Sequence, residues 1–425
     1  MKDKILLVSL VSDQTMPNIQ LIKELDDATN YLFITTEKME KVGTRKWIEQ
    51  TCNINEPPFL IVNEYSFSDI EYKLSTYDFD VYEKIYVNIS GGTKIMTMVS
   101  ELFFKNIGAN IYYVTGNKNE YIQVFPKKKN NTFYFERKIT LADYLHAYGF
   151  AFKSKAPSYD LMTAKPIIDV YSSDEKIRTH IEAIMYLNKQ RNKQKGVKSE
   201  DFHKVQGFLS EIKFNPQKER TLNDIEVKYL SGEWFEEYIG LSIKNELNLT
   251  DNEIFIGTNI FKEIGKDKDK NKLDLLLGEE AIKKLTEKRK KEDNNNEQKS
   301  TNEIDVMFVY NGRFYSIECK SSIIAIKTIL DKDENPKEKQ YNILGETIYK
   351  SDSLKNKFGL YSQTTIITLT DLYEYWNSGF DKVQQYNKAR EMEELINRAN
   401  LSNIKLVDRK MIRNSSSIFD LINSK

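Results

Sequence analysis

Five apolar runs, each followed by helix- or loop-forming residues, constrain the first 115 positions more than any other feature of the chain. Ile5–Val11 is an apolar run, Tyr31–Thr35 and Phe59–Val62 are strand-like, and Lys84–Ile89 and Asn110–Thr115 repeat the pattern. Runs without strict alternation suit strands that are buried on both faces, and such strands belong to parallel sheets covered by helices. Pro17–Leu25, with Pro17 near its first turn, and the stretch running to Lys105 supply helical patterns between the runs. The rhythm predicts a doubly wound, Rossmann-like parallel sheet over residues 1–140. Tyr121–Phe125 and Thr132–Arg137 read as a hairpin turning at Lys127–Asn131.

A chain of 425 residues exceeds what one core usually spans. Residues 141–225 are polar and mostly helical, with Ile177–Gln194 the clearest helix, and are expected to act as a helical connector. From 226 to 425 the pattern becomes a second α/β domain. It has a helix carrying Trp234, Phe235, Tyr238 and Ile239, a strand at Glu253–Thr258, and strands Glu303–Tyr310 and Arg313–Lys320. A helix at Tyr341–Ser353, a strand at Thr364–Leu369 and a helix at Asp381–Ala399 follow. Lys266–Asn302 is rich in Lys, Asp, Glu and Asn and reads as exposed, with Asn294–Asn296 as a loop tip.

Composition excludes several classes. Lys plus Arg and Asp plus Glu both number 63, so no global field attracts nucleic acid. Contact with phosphates must come from local patches, such as Lys283, Lys284, Lys288, Arg289, Lys290 and Lys291, or Lys189, Arg191, Lys193, Lys195 and Lys198. Lys350 and Lys357 are closer candidates for substrate contact. Two cysteines and three histidines leave no disulfide framework and no His-rich metal site. No apolar stretch approaches membrane-spanning length, and the apolar run at the start lacks a cleavage site, which predicts a cytoplasmic protein without membrane contact.

Asn311-Gly312 between two strand patterns is a strong signal for a two-residue type I′ hairpin. Counting back from Tyr310 opposite Arg313 places Asp305 opposite Glu318 and Glu303 opposite Lys320. Glu318 and Lys320 also share a face. Opposed Cβ atoms stand about 4.5–5.5 Å apart, where two carboxylates repel. A divalent cation offsets that repulsion, and hard oxygen donors without histidine favour Mg²⁺ or Mn²⁺. Lys320 is then placed to orient a water or stabilise a phosphate, Glu303 is a partner for Lys320, and Cys319 points to the opposite, core face.

A second constellation is Asn88-Ile89-Ser90-Gly91-Gly92-Thr93-Lys94, between a buried strand and a helix. Backbone N–H groups at such a glycine-rich helix start bind anions. Gly91 and Gly92 permit close approach, Thr93 offers a hydroxyl and Lys94 a charge. The spacing is neither a Walker A loop nor G-x-G-x-x-G. Ligands in doubly wound sheets bind beyond the carboxyl ends of strands, which puts the loop Ser12–Asn18 beside the same site.

These residues carry two resemblances. Asp305 with Glu318-Cys319-Lys320 on a hairpin resembles the core of PD-(D/E)xK nucleases, of restriction-endonuclease-like fold, which commonly add a metal-binding acid from a preceding helix. Glu236 is the best match, with Glu237 and Glu233 as alternatives. The Asn88–Lys94 segment and the first loop resemble the CARF domain of CRISPR-associated proteins. Together the chain looks like the ancillary nucleases of type III CRISPR systems, of the Card and Can kind. The resemblance implies an enzyme, a cyclic-oligoadenylate-activated endonuclease cutting single- or double-stranded DNA or RNA in antiviral defence. It implies a homodimer with cyclic tetra-adenylate across the two-fold axis. It implies that Ser12, Gln14, Asn18, Asn88, Ser90, Gly91, Gly92, Thr93, Lys94, Thr115 and Gly116 meet the activator. Glu236, Asp305, Glu318 and the carbonyl of Cys319 would hold the metal, and Lys320 would position the water. Two alternatives stay open: a nucleotide-responsive regulator that binds nucleic acid without cutting, and a ring nuclease that degrades its own activator.

Overall fold

The computed structural model describes residues 4–116, 118–262, 302–330, 336–372 and 382–424. The first sheet contains β1 (Ile5–Leu10), β2 (Asn30–Thr35), β3 (Phe59–Ile61), β4 (Lys84–Asn88), β5 (Asn110–Val114), β6 (Glu120–Phe125) and β7 (Thr132–Tyr134). Its order is β3-β2-β1-β4-β5-β6-β7, parallel as far as β5 and antiparallel thereafter. Leu6, Leu7, Val8 and Leu10 are all at most 1% exposed, so β1 is buried on both faces, as its apolar run predicts. β1 and β4 are neighbours while the chain visits β2 and β3 between them. Their carboxyl ends therefore lie side by side, and the loops that follow them share a crevice.

The second sheet has the order β15-β14-β11-β10-β9-β8. Its strands are β8 (Phe150–Lys155), β9 (Ile254–Lys262), β10 (Asn302–Tyr310), β11 (Arg313–Lys320), β14 (Ser362–Thr368) and β15 (Ile404–Val407), and a separate hairpin pairs β12 (Ile324–Leu330) with β13 (Pro336–Asn342). β8 falls inside the stretch expected to be a helical connector and completes the sheet edge instead. Helices Leu161–Tyr171, Asp174–Asn192 and His203–Glu211 make up most of the rest of that stretch. The expected Lys266–Asn302 loop, with Asn294–Asn296 and the Lys283–Lys291 cluster, lies almost wholly outside the described residues. Among the described residues no helix is long and apolar enough to cross a membrane.

The hairpin that matters most turns as anticipated. Asn311 and Gly312 both have positive φ, 51° and 72°, the left-handed pair that a type I′ turn requires. Tyr310 pairs with Arg313 and the ladder runs in register to Val306 opposite Ile317. The helix Trp234–Leu247 packs over β9, β10 and β11, and an irregular turn at Tyr229–Glu233 precedes it.

The two sheets are joined by a common apolar cluster. Tyr144, from the helix Leu141–Ala147, stacks on Phe314 of β11 with ring centroids 4.8 Å apart. Phe358 packs against Phe314 at 4.6 Å and against Phe150 at 5.2 Å. Phe314 and Phe358 are fully buried. Aromatic pairs of this kind add about 0.5–1.5 kcal/mol each beyond the burial of their area.

Candidate active site and sensor site

β10 and β11 set the charged cluster. One step beyond the Val306–Ile317 pair, Oδ2 of Asp305 accepts the backbone N–H of Cys319 at 2.6 Å, so a side chain takes over from the ladder. Asp305 and Glu318 are 6% and 7% exposed, a costly place for two like charges. Two ammonium groups balance them. Nζ of Lys320 lies 2.7 Å from Oε1 of Glu318 and 3.4 Å from Oδ2 of Asp305. Nζ of Lys350, on the helix Leu344–Lys355, donates to both Glu318 oxygens at 3.0 and 3.1 Å and to the Glu303 carbonyl at 2.9 Å. The expected Glu303–Lys320 pairing is therefore corrected. Lys320 is drawn to the two buried carboxylates, and exposed Glu303 meets Lys350 through its backbone.

Glu236 belongs to the same field. Burial first, and then the Asp305 charge, push its carboxyl up to about 9. Burial, and then Glu318, push Asp305 up to about 6. Burial works against the Lys320 charge, yet Asp305 and Glu318 outweigh it and hold the ammonium above its ordinary range. Glu237 is otherwise engaged, because its buried carboxylate accepts the N–H groups of Ser158 and Tyr159. Cys319 points its thiol into the core, where burial raises it well above the ordinary value, and its carbonyl accepts from Lys320 at 3.1 Å. Among the described residues, no group of three or more His, Cys, Asp or Glu side chains is arranged to hold a metal ion as it stands. The donor chemistry nevertheless fits a hard divalent cation. These are oxygen ligands, and burial first and the neighbouring carboxylate second raise Asp305 and Glu236, so a cation drawn into the site would favour their charged forms.

The sensor loops meet at the ends of β1 and β4. Asn18 and Asn88 are fully buried. Nδ2 of Asn18 donates to the Leu10 carbonyl at 3.0 Å, and Nδ2 of Asn88 donates to Oδ1 of Asn18 at 2.8 Å and to the Pro17 carbonyl at 3.1 Å. Oδ1 of Asn88 accepts the N–H and hydroxyl of Ser90, whose Oγ accepts the N–H of Val114 at 2.7 Å. Asn18 and Asn88, expected among the ligand contacts, are thus engaged in bracing the loops. Thr93 caps the helix Lys94–Asn106 and donates to the Glu64 carbonyl at 2.9 Å. A Cβ on Gly91 would stand 2.2 Å from the Leu10 carbonyl oxygen, so only glycine fits. Ser12 and Gly92 are half-buried and Lys94 is exposed. Thr115 donates to Glu120 in its own hairpin. Gln14 and Gly116 turn toward the second domain. Oε1 of Gln14 accepts the N–H of Leu360 at 2.8 Å, and Gly116 faces Tyr361.

Lys357 and the group Lys189, Arg191, Lys193, Lys195 and Lys198 are exposed. Sequence reasoning placed Lys350 among substrate contacts and missed its grip on Glu318. It gave no signal for Leu360 and Tyr361, whose part depends on how the two domains dock.

Fold and site together define a two-domain α/β protein, with a Rossmann-like domain of CARF type ahead of a sheet that presents a buried carboxylate–lysine cluster. Residues 6–144 match the family model described as the Card1 CARF domain, and the N-terminal domain is a CARF domain. No curated protein sequence matches the chain. The whole fold is similar to that of Can2 from Sulfobacillus thermosulfidooxidans in complex with cyclic tetra-adenylate, with a TM-score of 0.64 and 16% identity over 99% of this chain and 100% of that one. Protein VC1899 from Vibrio cholerae is as similar, with a TM-score of 0.64 and 15% identity over 96% of this chain and 95% of that one.

Proposed function

We propose that the chain is a metal-dependent endonuclease switched on by a cyclic oligoadenylate, acting on DNA or RNA in type III CRISPR defence. The observation that carries the reading is the buried meeting of Asp305, Glu318 and Lys320 at the end of a register-defined hairpin, with Glu236 in the same field. The CARF domain supports the sensor half, and the likeness to a fold solved with cyclic tetra-adenylate supports that ring as the activator.

In this reading Asp305, Glu318 and Glu236 hold Mg²⁺ or Mn²⁺, with the Cys319 carbonyl as a further donor. When bound, such an ion lowers the pKa of a water and stabilises charge on the scissile phosphate. Asp305 is held in its rotamer by the Cys319 N–H. Lys320, charged at all working pH values, positions the water or neutralises the phosphate. In the sensor, a phosphate meets backbone N–H groups at the start of the helix Lys94–Asn106, with Ser12, Thr93 and Lys94 around it, while Gly91 lets the segment pack close against Leu10. A two-fold-symmetric ring suits an isologous homodimer. A cytoplasmic site of action accords with the absence of a membrane-spanning helix among the described residues.

The test is cleavage of labelled single- and double-stranded DNA and RNA by the activated protein and its Glu318→Ala variant, with Mn²⁺ or a chelator. Cleavage confined to wild type with metal is expected. Binding without cleavage in every arm supports the regulator instead, and linearised cyclic oligoadenylate as the only product supports the ring nuclease.

A further inference from the structure

The sensor and the catalytic cluster are connected by one short turn, Phe358–Tyr361. The turn follows the helix Leu344–Lys355, which carries Lys350, and leads into β14, the parallel neighbour of β11. Both flanks of the turn thus reach Glu318, through the Lys350 ammonium on one side and through the Glu318–Ile366 pair on the other.

The sensor domain grips this turn at three points. Oε1 of Gln14 accepts the Leu360 N–H at 2.8 Å. The hydroxyl of buried Tyr144 donates to the Phe358 carbonyl at 2.8 Å. Gly116 lies so close to Tyr361 that a Cβ there would stand 1.9 Å from the phenolic oxygen. Gln14 and Gly116 belong to the loops after β1 and β5, beside the Gly91–Lys94 segment. A ligand that rearranged those loops would act on the turn, and the helix would carry the displacement to Lys350.

At the other end, Lys350 contacts both carboxylate oxygens of Glu318. An ammonium there competes with any cation that needs Glu318 as a ligand, by charge repulsion and by occupying its lone pairs. We propose that Lys350 is a positioning residue of the catalytic centre, and that the Phe358–Tyr361 turn sets it according to the state of the sensor. In the arrangement described here Lys350 restrains Glu318. Activator binding shifts the turn and helix, Lys350 withdraws, and Glu318 becomes available to the metal. The activator must favour the withdrawn arrangement for this to occur. The inference rests on the metal-centre reading of the Asp305–Glu318 cluster.

The experiment is Mn²⁺ binding to the full-length protein by titration calorimetry, without nucleic acid, with and without cyclic tetra-adenylate. In wild type the activator is expected to tighten Mn²⁺ binding by about tenfold, within the usual range of allosteric coupling. Lys350→Met is expected to bind Mn²⁺ tightly without activator and to gain less than about twofold from it, whereas Lys350→Arg, which keeps the cation, restores the dependence. Tyr361→Ala is expected to bind the activator as wild type does, with its Mn²⁺ affinity unresponsive. A Lys350→Met protein with wild-type Mn²⁺ affinity and a full activator response overturns the relay. Glu318→Gln separates the two failures, since undiminished Mn²⁺ binding in that variant overturns the metal-centre reading itself.

Discussion

Asp305 does two jobs that a substitution can separate. One oxygen accepts the Cys319 N–H, and the side chain also carries one of the buried charges that Lys320 balances. Asp305→Asn keeps an acceptor for that N–H while removing the charge. It is expected to fold with a near-wild-type thermal midpoint and to lose cleavage by about a hundredfold or more, the scale of removing one electrostatic group from an active site. Asp305→Ala also leaves the buried N–H unpaired, at about 1–3 kcal/mol. Glu236 makes the opposite point. Its carboxyl titrates near 9 in the folded chain against an ordinary 4.5. Between those values the unfolded chain releases a proton that the folded chain keeps, so stability is full below the lower value and is lost as pH rises toward the upper one. Glu236→Gln removes that penalty. In chelator at pH 7 it is expected to melt about 2–4 °C above wild type while losing activity, and a lower midpoint would contradict the assignment. Asp305, Glu318 and Lys320 were legible in the sequence because a two-residue turn makes register a matter of counting. Lys350 on Glu318 was not, because where a helix settles on a strand depends on packing that no local pattern encodes. The bracing bonds of Asn18 and Asn88 were not legible for a related reason: a polar loop residue looks the same whether it faces a ligand or props up the loop that does.

Elements were legible where their periodicity was strong. The five parallel strands, the Asn311-Gly312 hairpin and the helix Trp234–Leu247 all fall where apolar runs and turn residues put them. β8 was missed because Phe150–Lys155 opens apolar and ends Lys153-Ser154-Lys155, which suits an exposed sheet edge as well as a helix terminus. β15 has four residues, too few for a periodic signal. The Gly91 approach is to the Leu10 carbonyl, part of the central strand, which cannot yield as a flexible side chain can. Gly91→Ala is expected to cost about 1–3 kcal/mol of stability and, because the segment must move off Leu10, to weaken cyclic tetra-adenylate binding. Binding by fluorescence anisotropy checks this, and unchanged affinity would remove the segment from the ligand site. Metal-dependent thermal shifts should persist in the variant, because the second sheet is untouched.

For the whole molecule, the question is why a sensor and a carboxylate cluster share one chain. The two sheets are not strung on a flexible linker. Tyr144, Phe150, Phe314 and Phe358 form one aromatic seam between them, and Gln14 and Gly116 reach across it to Leu360 and Tyr361. Docking of this kind lets a change at the ends of β1 and β4 arrive at β11 through packed groups. The interface was the least legible part of the sequence, since its residues lie far apart along the chain and each has an adequate local reading. The most direct measurement is the initial rate of nucleic-acid cleavage by the full-length protein in Mn²⁺ as cyclic tetra-adenylate is titrated in. A rate near background without activator is expected, with a saturable rise of about tenfold or more, and no rise for Glu318→Ala at the same activator occupancy. A rate that is high without activator and unaffected by it, or one that Glu318→Ala retains in full, would contradict the account.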